Sequence, residues 1–403
     1  MRFLILTQYF PPEIGAAQVR LSAVAQELRK AGHEVEVVTA LPNYPSGKLL
    51  RTDRGRLSRR EMIDGIHITR LWLHTATGSG SHRLLSYLSF TVTGLVGALS
   101  ARKPDVVLVE SPPLFLGVAG WLAAKRFGAS FVLNISDLWP DSVRDMGLMM
   151  RGPWLGWAEW LELWLYGHAT AVTAVTMGIR DRLTTAKGVD AARVLFLPNG
   201  ADTVTFKPVA AGLETASQHP LFLYTGNVGL AQALDVIIGA AELAPEIDFV
   251  LVGDGSDKSR LQAEARRRRL QNVRFEPPVT PDEISSIYRD AAAGIASLRH
   301  SELMQGARPA KMLAIMACGR PVLYAGSGEG AELVRAADAG IVVAPEDPAA
   351  LAEAARAIVA NPRRAAEMGS NGQQFVSKHL SWPVLVGDWL KDLGSVLGRS
   401  IDR

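Results

Sequence analysis

A chain of 403 residues, 48% of them hydrophobic, is long enough to bury two separate cores. Its formal charge of +3 is too small to mark a nucleic-acid binder, although a pI near 9.0 suits an anionic ligand or surface. The single cysteine, Cys318, excludes an intramolecular disulfide framework and fits a reducing compartment, and no paired Cys or His spacing suggests a structural metal.

The apolar run from Arg2 to Gln8 leads into Pro11-Pro12, which predicts a buried strand over 3–8 and not a signal peptide. A loop with Gly15 follows, then a helix with an apolar stripe at Leu21, Val24, Ala25 and Leu28, ended by Gly32, then a strand over 34–39. That order favours a parallel sheet with a right-handed crossover, where ligands approach the carboxyl ends of strands. Gly15 falls at such an end, either as a point of close approach or as an ordinary turn glycine. Arg51, Arg54, Arg56, Arg59 and Arg60 read as a solvated loop, with contact to anionic lipid or a diphosphate as the other reading. The run Leu84 to Ala101 raises a membrane span, but its Ser, Thr and Gly residues favour a packed core helix.

Further strands are predicted at 66–72, 105–110, 130–135 and 170–175, completing a doubly wound domain. The third delivers Asp137 to the carboxyl edge, where it either contacts a ligand hydroxyl or caps a helix. Met146, Met149, Met150, Trp154, Trp157, Trp160 and Trp164 crowd onto a helical stripe. The stripe reads as core, with a membrane interface beside Arg151 as the alternative. Pro198-Asn199-Gly200-Ala201-Asp202 closes the domain, and 207–220 reads as a linker.

A second sheet begins with a strand over 221–225 that runs into Gly226-Asn227-Val228-Gly229, ahead of a helix over 230–244. Backbone amides and a helix N-terminus there could hold a diphosphate. Strands at 249–252 (ended by Gly253-Asp254-Gly255), 272–275, 293–298, 321–324 and 340–343 continue the sheet. After the strand at 293–298, Ala307 to Leu323 reads as loop, short helix, tight turn and strand, with Pro309 in the first turn and Gly319 just past the end. Lys311 in that first turn opposes the helix dipole; it is either a solvated lysine or a partner for an anion. Two α/β halves with glycine-bearing strand ends imply a cleft between domains with a ligand in it.

Together, Pro12-Glu13-Ile14-Gly15, Pro198-Asn199-Gly200-Ala201-Asp202, Thr225-Gly226-Asn227, Val252-Gly253-Asp254-Gly255 and Met316-Ala317-Cys318-Gly319-Arg320-Pro321-Val322 resemble the retaining GT-B glycosyltransferases of family 4. The resemblance spans nearly the whole chain. Gln8-Tyr9-Phe10-Pro11-Pro12-Glu13, Leu41-Pro42-Asn43-Tyr44-Pro45, Asp137-Leu138-Trp139-Pro140-Asp141 and Pro309-Ala310-Lys311 are similar to the bacterial branch that builds O-antigen, capsule or colanic-acid-type polysaccharides, N-acetylfucosamine transferases included.

The resemblance implies an α/β GT-B fold, two Rossmann-like doubly wound domains facing across a cleft. Residues 1–205 would form the acceptor side, with a C-terminal helix at 381–403 packed back on it, and 206–380 would bind the nucleotide sugar. It implies transfer from a nucleotide diphosphate sugar, UDP-linked N-acetylated hexosamine or deoxyhexosamine, to a lipid-linked saccharide. The enzyme would be cytoplasmic, attached peripherally to the inner membrane surface, with no metal, no other cofactor and no nucleic acid. Gly15 would approach the donor, and Gly226, Asn227, Gln232, Gly253 and Pro309 would surround its nucleotide, with Phe275 to Val279 around the base. Asp137 would orient or deprotonate the acceptor, and Lys311 would be the remaining cation on the diphosphate. Many relatives carry two glutamates eight positions apart, the second on the ribose; here those positions are Gly306 and Ala314, and Glu302 is out of register. Two other readings remain: a catalytically weak homologue acting as a binding subunit, and a GT-B epimerase.

Overall fold

A computed structural model of the chain describes all residues except 14, 45–46, 77–80, 142–152, 209–218, 302–303, 400 and 402–403. It separates into two units, Met1–Asn199 with Leu385–Arg403, and Gly200–Val384.

The first unit contains β1 (Arg2–Leu6), α1 (Ala16–Lys30), β2 (Glu34–Ala40), β3 (Ser58–Ile63), β4 (Ile66–Leu71), α2 (Ser81–Leu99), β5 (Val106–Ser111), α3 (Phe115–Phe127), β6 (Ser130–Ile135), α4 (Pro153–His168), β7 (Ala171–Ala174), α5 (Met177–Thr185) and β8 (Val194–Phe196). The strands lie in the order β3-β4-β2-β1-β5-β6-β7-β8, parallel except where β3 meets β4. Central strands are apolar on both sides, as a sheet covered on two faces requires: Phe3, Leu4, Ile5 and Leu6 are all buried. On one face the register row Val38, Leu6, Val109 and Leu133 lies under α2, α3 and α4. The helices sit close. A Cβ on Gly120 of α3 would come 2.2 Å from Val109, and one on Gly97 of α2 would come 2.4 Å from Leu71.

The second unit contains β9 (Leu221–Thr225), α6 (Asp235–Leu243), β10 (Asp248–Val252), α7 (Lys258–Arg267), β11 (Val273–Glu276), α8 (Pro281–Arg289), β12 (Ala293–Ser297), α9 (Ala310–Ala317), β13 (Val322–Ala325), α10 (Glu329–Ala336), β14 (Gly340–Val343), α11 (Pro348–Ala360) and α12 (Pro362–Phe375). Its sheet is parallel throughout, in the order β11-β10-β9-β12-β13-β14. A last helix, α13 (Trp382–Leu397), starts in this unit and finishes in the first. There Trp389 is buried, its ring 6.5 Å from that of Phe3 and its indole N–H donating to Thr173 at 3.0 Å.

Several expectations need correction. The helix over 230–244 is broken: Leu230–Gln232 form a 3-10 turn, Ala233 is left-handed at φ 47°, and α6 begins at Asp235. The reversal leaves Leu230 outside while Ala233 and Leu234 enter the core. The basic segment is not a plain loop. Arg59 and Arg60 lie in β3, and Arg59 pairs with Asp53 at 2.7 Å and Glu61 at 3.2 Å. Charged side chains on this edge strand oppose pairing with another chain, and they are also why its pattern did not read as a strand. The short β8 was missed as well.

The core reading of Leu84 to Ala101 holds for one side of α2, where Phe90 and Ala98 are buried; the opposite side exposes a row of aliphatics. Trp157 and Trp160 are exposed too, so the tryptophan stripe is not simply core. Met146, Met149, Met150, Arg151 and residues 209–218 of the 207–220 linker lie outside the described residues. Among the described residues no helix is long and apolar enough to cross a membrane.

Candidate active site

Strands β9 and β10 end in register, Thr225 beside Val252, and each is followed by a left-handed glycine, Gly226 at φ 118° and Gly253 at φ 148°. The Gly226 N–H donates to the Val252 carbonyl at 2.9 Å, and the Val228 N–H donates to that of Asp254 at 2.9 Å. The two loops therefore touch backbone to backbone. A Cβ on Gly253 would stand 2.0 Å from the Gly226 carbonyl oxygen, so no side chain fits there. This packing presents Gly226 and Asn227 to solvent at the carboxyl edge, and Gln232 meets Asn227 at 3.4 Å.

Lys311 reaches the same edge from the first turn of α9, whose N-cap is Pro309 rather than a residue before it. Its ammonium lies 3.7 Å from the centroid of the Tyr224 ring and donates to the Tyr224 hydroxyl, which in turn donates to the Asn227 carbonyl at 2.6 Å. A Cβ on Gly226 would be 3.6 Å from Nζ. Among the described residues no carboxylate pairs with Lys311. Burial without a counter-charge pushes its pKa down to about 7, while burial holds the Tyr224 phenol well above its usual range. A cation held by a ring face and a neutral hydroxyl is stabilised only partly, and an anion over Gly226 would complete it.

Other parts of this edge are structural or open. Thr225 and Tyr288 share a buried hydrogen bond of 2.9 Å, fixing the end of β9. Burial raises the Cys318 thiol to about 11, which removes it as a nucleophile. The buried hydroxyls of Ser297, ending β12, and Tyr324, in β13, have no hydrogen-bond partner among the described residues. Ala314 is half-buried on α9, Gly306 lies in the loop before it, and Glu302 is outside the described residues. Among the described residues no cluster of three or more His, Cys, Asp or Glu could hold a metal ion.

Gly15 and Asp137 belong to the first unit. Gly15 caps α1 in an extended conformation, φ 179°, which any residue adopts. Asp137 follows β6 in a partly exposed loop. The residue before it, Ser136, joins a buried network that the sequence reading missed. Arg20 of α1 donates to Glu110 at 2.7 Å, to Ser136 and to Asn199 at 3.0 Å, and Asn134 donates to Glu110 at 2.5 Å. Beyond Asp137, Asp141 is paired with Lys187 at 3.0 Å and Arg182 at 3.2 Å, so it serves the fold. Sequence gave little sign of Tyr224 or Arg20: one looks like a strand aromatic, and the other abuts an apolar stripe.

The architecture and this edge define an α/β protein with Rossmann-like sheets, carrying Lys311 and two glycine loops at the strand ends of its second unit. Residues 15–200 match the glycosyl transferase 4-like domain family, and 219–361 match glycosyl transferases group 1. The chain is a glycosyltransferase of the GT-B superfamily. It is 29% identical over 304 residues to the putative colanic acid biosynthesis glycosyl transferase WcaI of Escherichia coli K12, covering 72% of this chain and 74% of that protein. In fold it is similar to sucrose-phosphate synthase from Thermosynechococcus elongatus, with a TM-score of 0.74 at 17% identity, covering 99% of this chain and 100% of that one. Anabaena HepE in complex with UDP gives a TM-score of 0.71 at 16% identity, covering 98% and 100%.

Proposed function

We propose that the protein transfers a sugar, with retention, from a nucleotide diphosphate sugar to a lipid-linked saccharide during cell-surface polysaccharide synthesis. The observation that carries this reading is the desolvated Lys311 beside Gly226, a cation without a counter-charge among the described residues. Similarity to a colanic acid transferase supports the polysaccharide setting, and the family resemblance supports a UDP-linked N-acetylated hexosamine or deoxyhexosamine as donor.

As the anomeric carbon–oxygen bond breaks, its electron pair goes to the departing diphosphate, whose charge grows. Lys311 then binds the leaving group more strongly than it binds the intact donor. The acceptor hydroxyl attacks the face that the diphosphate leaves, and its proton passes to the departing phosphate oxygen. Asp137 orients that hydroxyl.

Thermal unfolding with UDP, GDP, dTDP, ADP and their sugars tests the reading. A cognate nucleotide at one hundred times its Kd stabilises the folded chain by about 2.7 kcal/mol. No stabilisation by any nucleotide overturns it. The absence of carboxylates at Gly306 and Ala314 favours a second reading, a binding subunit with little turnover of its own. Nucleotide binding without release of free nucleotide in the presence of acceptor lipid would select that reading.

A further inference from the structure

Helix α2 is apolar on two sides. One side lies on the sheet, while Leu85, Leu88, Val92, Val96 and Leu99 on the other are 49%, 40%, 65%, 60% and 42% exposed. Their spacing keeps them in one row over four turns, roughly 20 Å of helix. A water-facing helix surface ordinarily carries polar residues at such positions.

The row does not stop at the edges of α2. The helices α2, α3 and α4 form one layer on the same sheet face, and the outward side of α4 exposes Trp157, Trp160 and Leu163. On the other flank, Arg60 and Met62 of β3 stand opposite Thr69 and His67 of β4, in the row of Leu71, which packs under α2. Arg60 and Met62 therefore project to the α2 side, and Met62 is 61% exposed.

Charge selects the partner. From Ser81 to Lys103 there is no Asp or Glu, while Arg83 stands near the start of the helix and Arg102 and Lys103 just beyond its end. A second copy of this face would set cation against cation: antiparallel pairing puts Arg83 on Arg102 and Lys103, and parallel pairing puts each end on its twin. An anionic bilayer answers both features, with headgroups for the cations and acyl chains for the row.

We propose that this face is a membrane-docking surface, with α2 lying in the plane of an anionic bilayer and its aliphatic row below the headgroups. The proposal goes beyond the transfer reaction and does not depend on the donor site.

Flotation of the full chain with vesicles of phosphatidylglycerol and phosphatidylethanolamine, against phosphatidylcholine alone, tests it. The unaltered chain should float with anionic vesicles, less so at high salt. Replacing Val92→Glu and Val96→Glu together should reduce vesicle binding at least tenfold, with the melting temperature and nucleotide response unchanged. Leu243→Glu, an equally exposed position on α6, should leave flotation unchanged. Flotation unaffected by the paired substitutions, or no flotation of the unaltered chain, overturns the proposal. So does a concentration-dependent dimer in light scattering that the same substitutions dissociate, which would make the face a self-interface.

Discussion

An ammonium group 3.7 Å from the Tyr224 ring centroid, its pKa lowered to about 7, is largely neutral at pH 8 in the free protein. A bound diphosphate would favour the charged form and raise that pKa, so donor binding at pH 8 should take up close to one proton, and at pH 6 almost none. Titration calorimetry in two buffers of different ionisation enthalpy reads this directly; equal heats in both at pH 8 would count against Lys311 meeting the anion. The stability effect has the opposite sign to a salt bridge. Because the folded pKa lies below the ordinary 10.5, the unfolded chain binds the extra proton, and stability rises with pH from about 7 toward 10.5. Lys311→Ala should remove that slope and weaken donor binding by about 1.5–3 kcal/mol, one to two decades in Kd. Asp137→Asn should slow transfer while leaving nucleotide affinity unchanged, as measured by acceptor turnover beside nucleotide titration. Lys311 could be singled out in the sequence as a candidate because a cation in a first helical turn needs a reason. Tyr224 was not, since nothing in an apolar strand says which aromatic will meet a lysine 87 residues away.

Between β9 and β10 the demand for glycine is geometric, and it differs from the demand at the start of α1. Gly253→Ala would set a methyl group 2.0 Å from a carbonyl oxygen and force an unfavourable φ, costing about 1–3 kcal/mol in strain alone. Gly15→Ala meets only the flexible tip of Gln18 and should shift stability by less than about 1 kcal/mol. Denaturant midpoints of the two variants compare them under one condition; equal losses would refute the distinction. The buried parallel strands were readable because continuous apolar runs between turn signals have few other uses. The edge strand β3 was not, because the charged run Arg59-Arg60-Glu61 suits a loop equally well, and the break before α6 falls at Ala233, with no Gly or Pro there to announce it. On α2, apolar content revealed a helix but not its two faces, because both sides use the same residue types.

At the scale of the molecule, the resemblance in motif order gave the class of fold, since it draws on positions spread over both sheets. The sequence did not show how tightly α13 belongs to the first unit. Trp389→Ala removes the indole contact with Phe3 and the hydrogen bond to Thr173, and should cost about 3–5 kcal/mol, seen as a lower melting temperature. The first unit is thus discontinuous: its closing helix segment, from Leu385, is separated from Asn199 by the whole of the second unit. During synthesis, ribosomes adding about 5–20 residues per second would need roughly ten to forty seconds to make that intervening stretch. Through that interval the nascent sheet waits with the place of Trp389 unfilled, and chaperones have longest access to the half of the chain made first.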